Sequence, residues 1–175
     1  MSDIHGNIVK PAQFLVENID LLPKGKALDV AMGAGRNAVY LARLGFEVEG
    51  VDISAEAVDR ALELARKAGV TIRAGVADLE GNYRIQKSSY DLIICFKYLQ
   101  RSLIQQIKEG LRSGCMVVYE TFIVDQVQFG KPKNPDHLLK HNELLDLFHD
   151  FRCLRYREGI FDGRKAIASI IAEKT

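Results

Sequence analysis

The 175-residue chain is long enough for one domain with a sizeable core, which is the expected organisation over residues 1–175. Its composition, 47% hydrophobic and 27% charged, is that of an ordinary globular protein, and a net charge of +1 gives no electrostatic footprint for nucleic acid or an anionic membrane. No apolar run is long enough to span a bilayer, and Met1–Lys10 lacks a basic stretch followed by an apolar one, so the cytoplasm is the default compartment.

Residues 1–22 read as a tail followed by a short entry helix, with Phe14, Leu15, Asn18 and Ile19 at helical spacing and Pro23-Lys24-Gly25 as the break. A first strand is expected over Lys26–Met32. Gly33-Ala34-Gly35 then turns the chain into a helix, Arg36–Leu44, which Gly45 ends. Phe46–Ile53 alternates like a second strand. Ser54 caps a helix over Ala55–Ala68, stopped by Gly69. Further strands are expected at Val70–Ala77, Tyr90–Phe96 and Cys115–Phe122, with a helix over Arg101–Leu111 and a turn at Ser113-Gly114. After a long loop, Ile123–Lys140, come a helix over His141–Phe151 and two strands, Leu154–Glu158 and Lys165–Ala172, joined at Asp162-Gly163.

Strands alternating with helices imply crossover units and a mostly parallel, doubly wound α/β sheet in three αβα layers. Seven strands fit the pattern. The short last connection demands a hairpin, so one C-terminal strand runs antiparallel to the rest.

The chemistry is concentrated in the first strand–turn–helix. Glycines at 33 and 35 allow a tight turn and close approach of a ligand, and the next helix aims its free N–H groups at the same place. Asp52 ends the second strand, nineteen residues after Gly33, where a carboxylate can accept both hydroxyls of a ribose. The region therefore reads as a nucleoside-cofactor site. Gly33-Ala34-Gly35-Arg36-Asn37-Ala38 also fits G-x-G-x-x-G/A, which keeps a nicotinamide dinucleotide, and an oxidoreductase or sensor built on it, as an alternative. Asp29 weighs against that. It is a carboxylate in an apolar strand, costly unless paired, and it would repel a pyrophosphate.

Asp29-Val30-Ala31-Met32-Gly33-Ala34-Gly35 resembles the D-x-G-x-G-x-G motif of class I S-adenosylmethionine-dependent methyltransferases. The stretches Gly35–Ala42, Leu44–Val48 and Val51–Ser54 resemble more narrowly the bacterial tellurite-resistance branch of that family. Tyr90–Ile94 is similar to its fourth strand, and Arg112–Cys115 stands where the family has R-P-G-G. The resemblance implies that Asp29 helps hold the amino-acid end of S-adenosylmethionine, over a floor made by Ala31, Gly33, Gly35, Arg36 and Asn37. It places the ribose on Asp52 beside Ile53, the adenine near Asp78 and Leu79, and the methionine part near the backbone of Phe96. It also implies methyl transfer, by direct displacement, to a small-molecule acceptor, small anions included. Acceptor contacts are expected from Tyr98, Arg101, Phe129 and His137, and the long loop Ile123–Lys140 could act as a lid. No catalytic base is identifiable, and none is required unless the acceptor must lose a proton.

Three departures matter. Ala31 replaces the first motif glycine, Ser113 and Cys115 replace Pro and Gly, and the short N-terminal part leaves out much of the family's substrate cap. Ala31 and that short part motivate a further alternative, a degenerate binding module without activity.

Two other patterns are read as coincidence. Ser2–Asn7 looks like the opening of a metallophosphoesterase motif but follows no strand, and Tyr83-x-x-x-Lys87 matches a dehydrogenase pair in the wrong place. Cys95, Cys115 and Cys153 are too far apart for a metal site and read as buried reduced thiols, and the four histidines have no ligand spacing. No metal, nucleic-acid partner or membrane is expected.

Overall fold

The computed structural model describes residues 10–175; the Ser2–Asn7 motif lies outside them. Seven strands form one sheet: β1 (Lys26–Val30), β2 (Glu47–Asp52), β3 (Arg73–Val76), β4 (Tyr90–Phe96), β5 (Leu111–Phe122), β6 (Arg152–Phe161) and β7 (Lys165–Glu173). Their order is β3-β2-β1-β4-β5-β7-β6. The first five pair in parallel, and β7 is antiparallel to both neighbours, as the tight final hairpin required. The hairpin turns at Asp162 and Gly163, both at positive φ (53° and 65°), whose twist matches that of the flanking strands.

Alternation along the inner strands explains the layers. Leu92, Ile94 and Phe96 face one side with Phe14, Leu41, Val58 and Ala61, under the helices α1 (Gln13–Glu17), α2 (Arg36–Arg43) and α3 (Ala55–Ala68). Ile93 and Cys95 face the other, with Ile107, Tyr119 and Phe148, under α4 (Ile104–Gly110) and α5 (Glu143–Leu147). Both faces of β4 are thus dry, which is why its sequence is continuously apolar from Leu92 to Phe96. No helix among the described residues is long and apolar enough to cross a membrane.

Several elements differ from expectation. The third strand shrinks to Arg73–Val76, a short and largely exposed edge. The helix expected from Arg101 starts as a 3₁₀ turn and becomes α4 only at Ile104. The turn expected at Ser113-Gly114 lies inside β5: Tyr90 pairs Leu111 but Leu92 pairs Met116, so the extra residues bulge, with Gly114 at φ 77°. The helix expected over His141–Phe151 is only five residues long, because Asn142 sits at φ 64° with its N–H donated to the Glu158 carboxylate. β6 is longer than expected because its ladder to β7 continues from Arg152 to Phe161. Cys95 is buried, but Cys115 is only partly so. Cys153 is exposed, since its strand is a sheet edge.

Gly35 fixes how closely α2 and α3 pack. It is buried at φ 80°, and a Cβ there would lie 2.6 Å from the Cβ of Ala61 on α3. Overpacking and a left-handed non-glycine residue together cost about 3 kcal/mol. Gly35→Ala is expected to lower the urea midpoint accordingly, and an unchanged midpoint would show that α3 can retreat freely.

Candidate cofactor and acceptor site

The strand order reverses between β1 and β4, so the ligand crevice of such a sheet opens outside their carboxyl ends. The glycine turn lies there. Met32 N–H is donated to Val51 O (3.0 Å), and Gly35 N–H closes the turn onto Met32 O (3.1 Å). Asp52 braces it from the neighbouring strand: Gly33 N–H is donated to Asp52 Oδ2 and Ser54 N–H to Oδ1, both at 2.9 Å. The carboxylate is thereby immobilised, with lone pairs left for an incoming hydroxyl.

Two adjoining cavities lie on this floor. One, of about 300 Å³, is lined by Asp29, Ala31, Met32, Gly33, Ala34, Arg36, Asn37, Phe96 and Lys97. The other, of about 380 Å³, is lined by Ala31, Asp52, Ile53, Asp78, Leu79, Glu80, Lys97 and Tyr98. Ala31 and Lys97 are common to both. Ile53, 67% exposed, leaves an apolar side chain open beside Asp52. Asp78 is exposed, with its Oδ1 accepting the N–H of Glu80 (3.0 Å).

Asp29 is the most unusual group. It is 2% exposed, and its Oδ2 has no hydrogen-bond partner. Burial pushes its carboxyl up to about 8, against the opposing pull of Arg36 and the Ala38 amide. An orphaned buried carboxyl facing a cavity fits a cationic ligand group, and the ammonium of a methionine moiety is one.

Ala31 stands at φ 54°, a left-handed conformation that suits the glycine of the family motif. Its methyl also sits where the two cavities meet. Ala31→Gly is expected to stabilise the protein by a net of about 0.5–1 kcal/mol, relief of strain outweighing the added freedom of the unfolded chain. A rise in the denaturation midpoint checks this; a fall would mean that the methyl packs usefully.

The other expected site residues divide. Asn37 lines the first cavity, but its buried Oδ1 accepts the N–H of Ala12 (2.8 Å), so it also ties the entry segment to α2. Gly35 lines neither cavity and acts through packing. Tyr98 lines the second cavity, and burial pushes its phenol up to about 12, so it stays a hydrogen-bond donor. His137 lines a smaller space of about 240 Å³ with Tyr98, Leu99, Thr121 and Pro132.

Arg101 and Phe129 line none of these spaces. Arg101 donates instead to the Glu143 carboxylate (Nη2–Oε2 3.0 Å) and to the carbonyls of Asp136 and Leu138, strapping the long loop onto α5. That loop is folded into two 3₁₀ turns, Val124–Gln128 and Pro135–His137. Tyr83 and Lys87 lie in the β3–β4 connection outside any helix. Among the described residues, no group of three or more His, Cys, Asp or Glu side chains could hold a metal.

Lys97 opens the loop, Lys97–Arg101, whose position after β4 makes it an expected border of the acceptor, and it lines all four spaces at this edge. The rule is the one that picks out Asp52 at the end of β2. Glu120, Arg157 and Lys165 also reach this edge and carried no local signal.

Known proteins resemble this chain in sequence and fold. The family described as "Methyltransferase domain" matches residues 27–114, from β1 to the bulge in β5. The probable S-adenosyl-L-methionine-dependent methyltransferase TehB of Haemophilus influenzae is 27% identical over 170 residues, covering 93% of this chain and 56% of that protein. The chain thus spans about half the length of such curated relatives. The crystal structure of TehB from Haemophilus influenzae superposes with a TM-score of 0.79 at 22% identity, covering 94% of this chain and 63% of that one. An S-adenosylmethionine-dependent methyltransferase from Mesorhizobium loti gives 0.72 at 18% identity, covering 93% and 98%. With its sheet order, its braced glycine turn and the match across that region, the chain belongs to the methyltransferase-domain family, the class I S-adenosylmethionine-dependent methyltransferases.

Proposed function

We propose that the protein transfers a methyl group from S-adenosylmethionine to a small-molecule acceptor. The observation that carries this reading is the buried, unpartnered Oδ2 of Asp29 beside the glycine turn, which the cationic group of a ligand would satisfy. Asp29 would hold the ammonium end, with Phe96 and the Ala31–Ala34 turn enclosing the methionine chain. Asp52 would accept the ribose hydroxyls, and Ile53, Asp78 and Leu79 would border the adenine.

The bound cofactor supplies a methyl already activated on a sulfonium. The protein's work is then alignment and exclusion of water. Lys97 lines both cofactor cavities and the spaces next to them, so it would orient the incoming group, while Tyr98 offers its hydroxyl as a donor in the second cavity. Small-molecule methyltransferases such as the ubiquinone biosynthesis O-methyltransferase of Pectobacterium atrosepticum (30% identical over 101 residues) support a small acceptor here. The dinucleotide alternative loses ground to the family match.

Calorimetric titration with S-adenosylmethionine and S-adenosylhomocysteine, with NAD and NADP alongside, tests the reading. Binding of the two sulfur nucleosides alone is expected. Binding of NAD or NADP alone would overturn it, and no binding at all would favour the inactive module.

A further inference from the structure

Beyond the two cofactor cavities, a third space of about 330 Å³ lies between the segment leading into α1, the start of α2, and the ends of β4 to β7. Its lining carries five cationic side chains, Lys10, Arg36, Lys97, Arg157 and Lys165, against two carboxylates, Glu120 and Asp162. Glu120 is already engaged. Its Oε2 accepts the Ser169 hydroxyl (2.6 Å) and lies 3.3 Å from Arg157 Nη2.

Arg157 is the fixed part of this wall. Its guanidinium lies 4.9 Å from the ring centre of Phe14 and 4.7 Å from that of Phe161, and its Nε donates to Ser169 Oγ (3.2 Å). Lys165 is exposed at the start of β7. Lys97 is also open to solvent, yet the protein atoms crowding it, and after them Arg36 and Lys165, hold its ammonium below the usual lysine value against the pull of Glu120. Cations drawn from α2, β6, β7 and the end of β4 therefore converge with too few anions to balance them.

We propose that this space is the acceptor site and that the acceptor is a small organic molecule bearing a carboxylate or a phosphate, bound at that end by Arg157, Lys165 and Lys97. The proposal rests on the methyl-transfer reading above. Size argues for an organic body: the space equals about ten water volumes, several times what a bare inorganic oxyanion fills. Phe161 and Ile167 give that body an apolar wall. Lys97 and Arg36 also line the cavity of Asp29, so an acceptor anchored here extends towards the methionine end of the cofactor.

The test is titration of the full chain, saturated with S-adenosylhomocysteine, with benzoate, phenyl phosphate, uncharged benzamide and inorganic phosphate, followed by calorimetry. Benzoate or phenyl phosphate should bind at least about tenfold more tightly than benzamide, the tighter one identifying the anionic group. Lys165→Glu, a change at an exposed position, should weaken that binding at least about tenfold, and Lys165→Gln by less. Equal binding of benzamide, or an affinity untouched by Lys165→Glu, would overturn the anion site. Inorganic phosphate binding as tightly as phenyl phosphate would overturn the organic body. If S-adenosylhomocysteine itself does not bind, the methyl-transfer reading falls, and the same titration on the free protein still judges the anion site.

Discussion

Binding of S-adenosylmethionine at pH 7 is expected to release close to one proton, and Asp29→Asn to abolish the release. The group stands near 8 in the free protein because burial disfavours its charged form. At pH 7 it is therefore mostly protonated, and pairing with an ammonium requires it to ionise. Calorimetry at one pH in two buffers of different ionisation enthalpy counts the proton directly. The same linkage makes affinity rise with pH by about tenfold per unit below pH 7 and level off through pH 8. A proton count that is zero in the native protein, or the same in Asp29→Asn, would remove Asp29 from the cofactor site.

The sign for the free protein is opposite. A carboxyl raised from 3.8 to about 8 by folding binds more protons folded than unfolded between those values. Its contribution to stability is complete below pH 3.8 and is lost as pH climbs to about 8. Asp29→Asn should remove that decline, leaving a variant more stable at pH 8 than the native protein but weaker in cofactor binding. This separation distinguishes a ligand-holding role from one in which the side chain merely supports the turn, for then both properties would fall together.

Asp52→Ala should weaken S-adenosylhomocysteine binding by about 100-fold, the worth of two hydrogen bonds to a charged acceptor. Part of the loss comes through the turn, since Gly33 N–H and Ser54 N–H both lose their acceptor. Asp52→Asn is no mild substitute. Each oxygen already accepts one backbone N–H, so an amide must present its NH₂ to one of those donors. Calorimetry on the three proteins, with denaturation to check folding, measures the effect. An unchanged affinity in Asp52→Ala would place the ribose elsewhere.

How far the sequence reaches depends on the range of the forces involved. α3 was legible to its last residue because Ser54 and Gly69 mark both ends, the Ser54 hydroxyl accepting Ala57 N–H and Gly69 taking φ 70°. β4 was equally plain, since burial on both faces selects apolar side chains at every position from Leu92 to Phe96. The helix expected over His141–Phe151 is shorter because its residues engage other elements: Asn142 is turned by Glu158 of β6, and Phe148 packs on Tyr119 of β5. The strap made by Arg101 was not legible for a similar reason, as its partners Glu143 and Leu138 are distant in sequence.

The sequence by itself determined the doubly wound sheet, the glycine turn and the places of Asp29 and Asp52 along their strands. Each is set by periodicity, by backbone conformation or by a place at a strand end, all local properties. The tertiary structure alone decided that Asp29 is orphaned, that Gly35 is pressed against Ala61, and that Ala31 holds a left-handed turn at the meeting of two cavities. It also decided the cationic space, whose lysines and arginines come from four separate elements. Burial, close approach and charge crowding are sums over neighbours that only the folded sheet brings together.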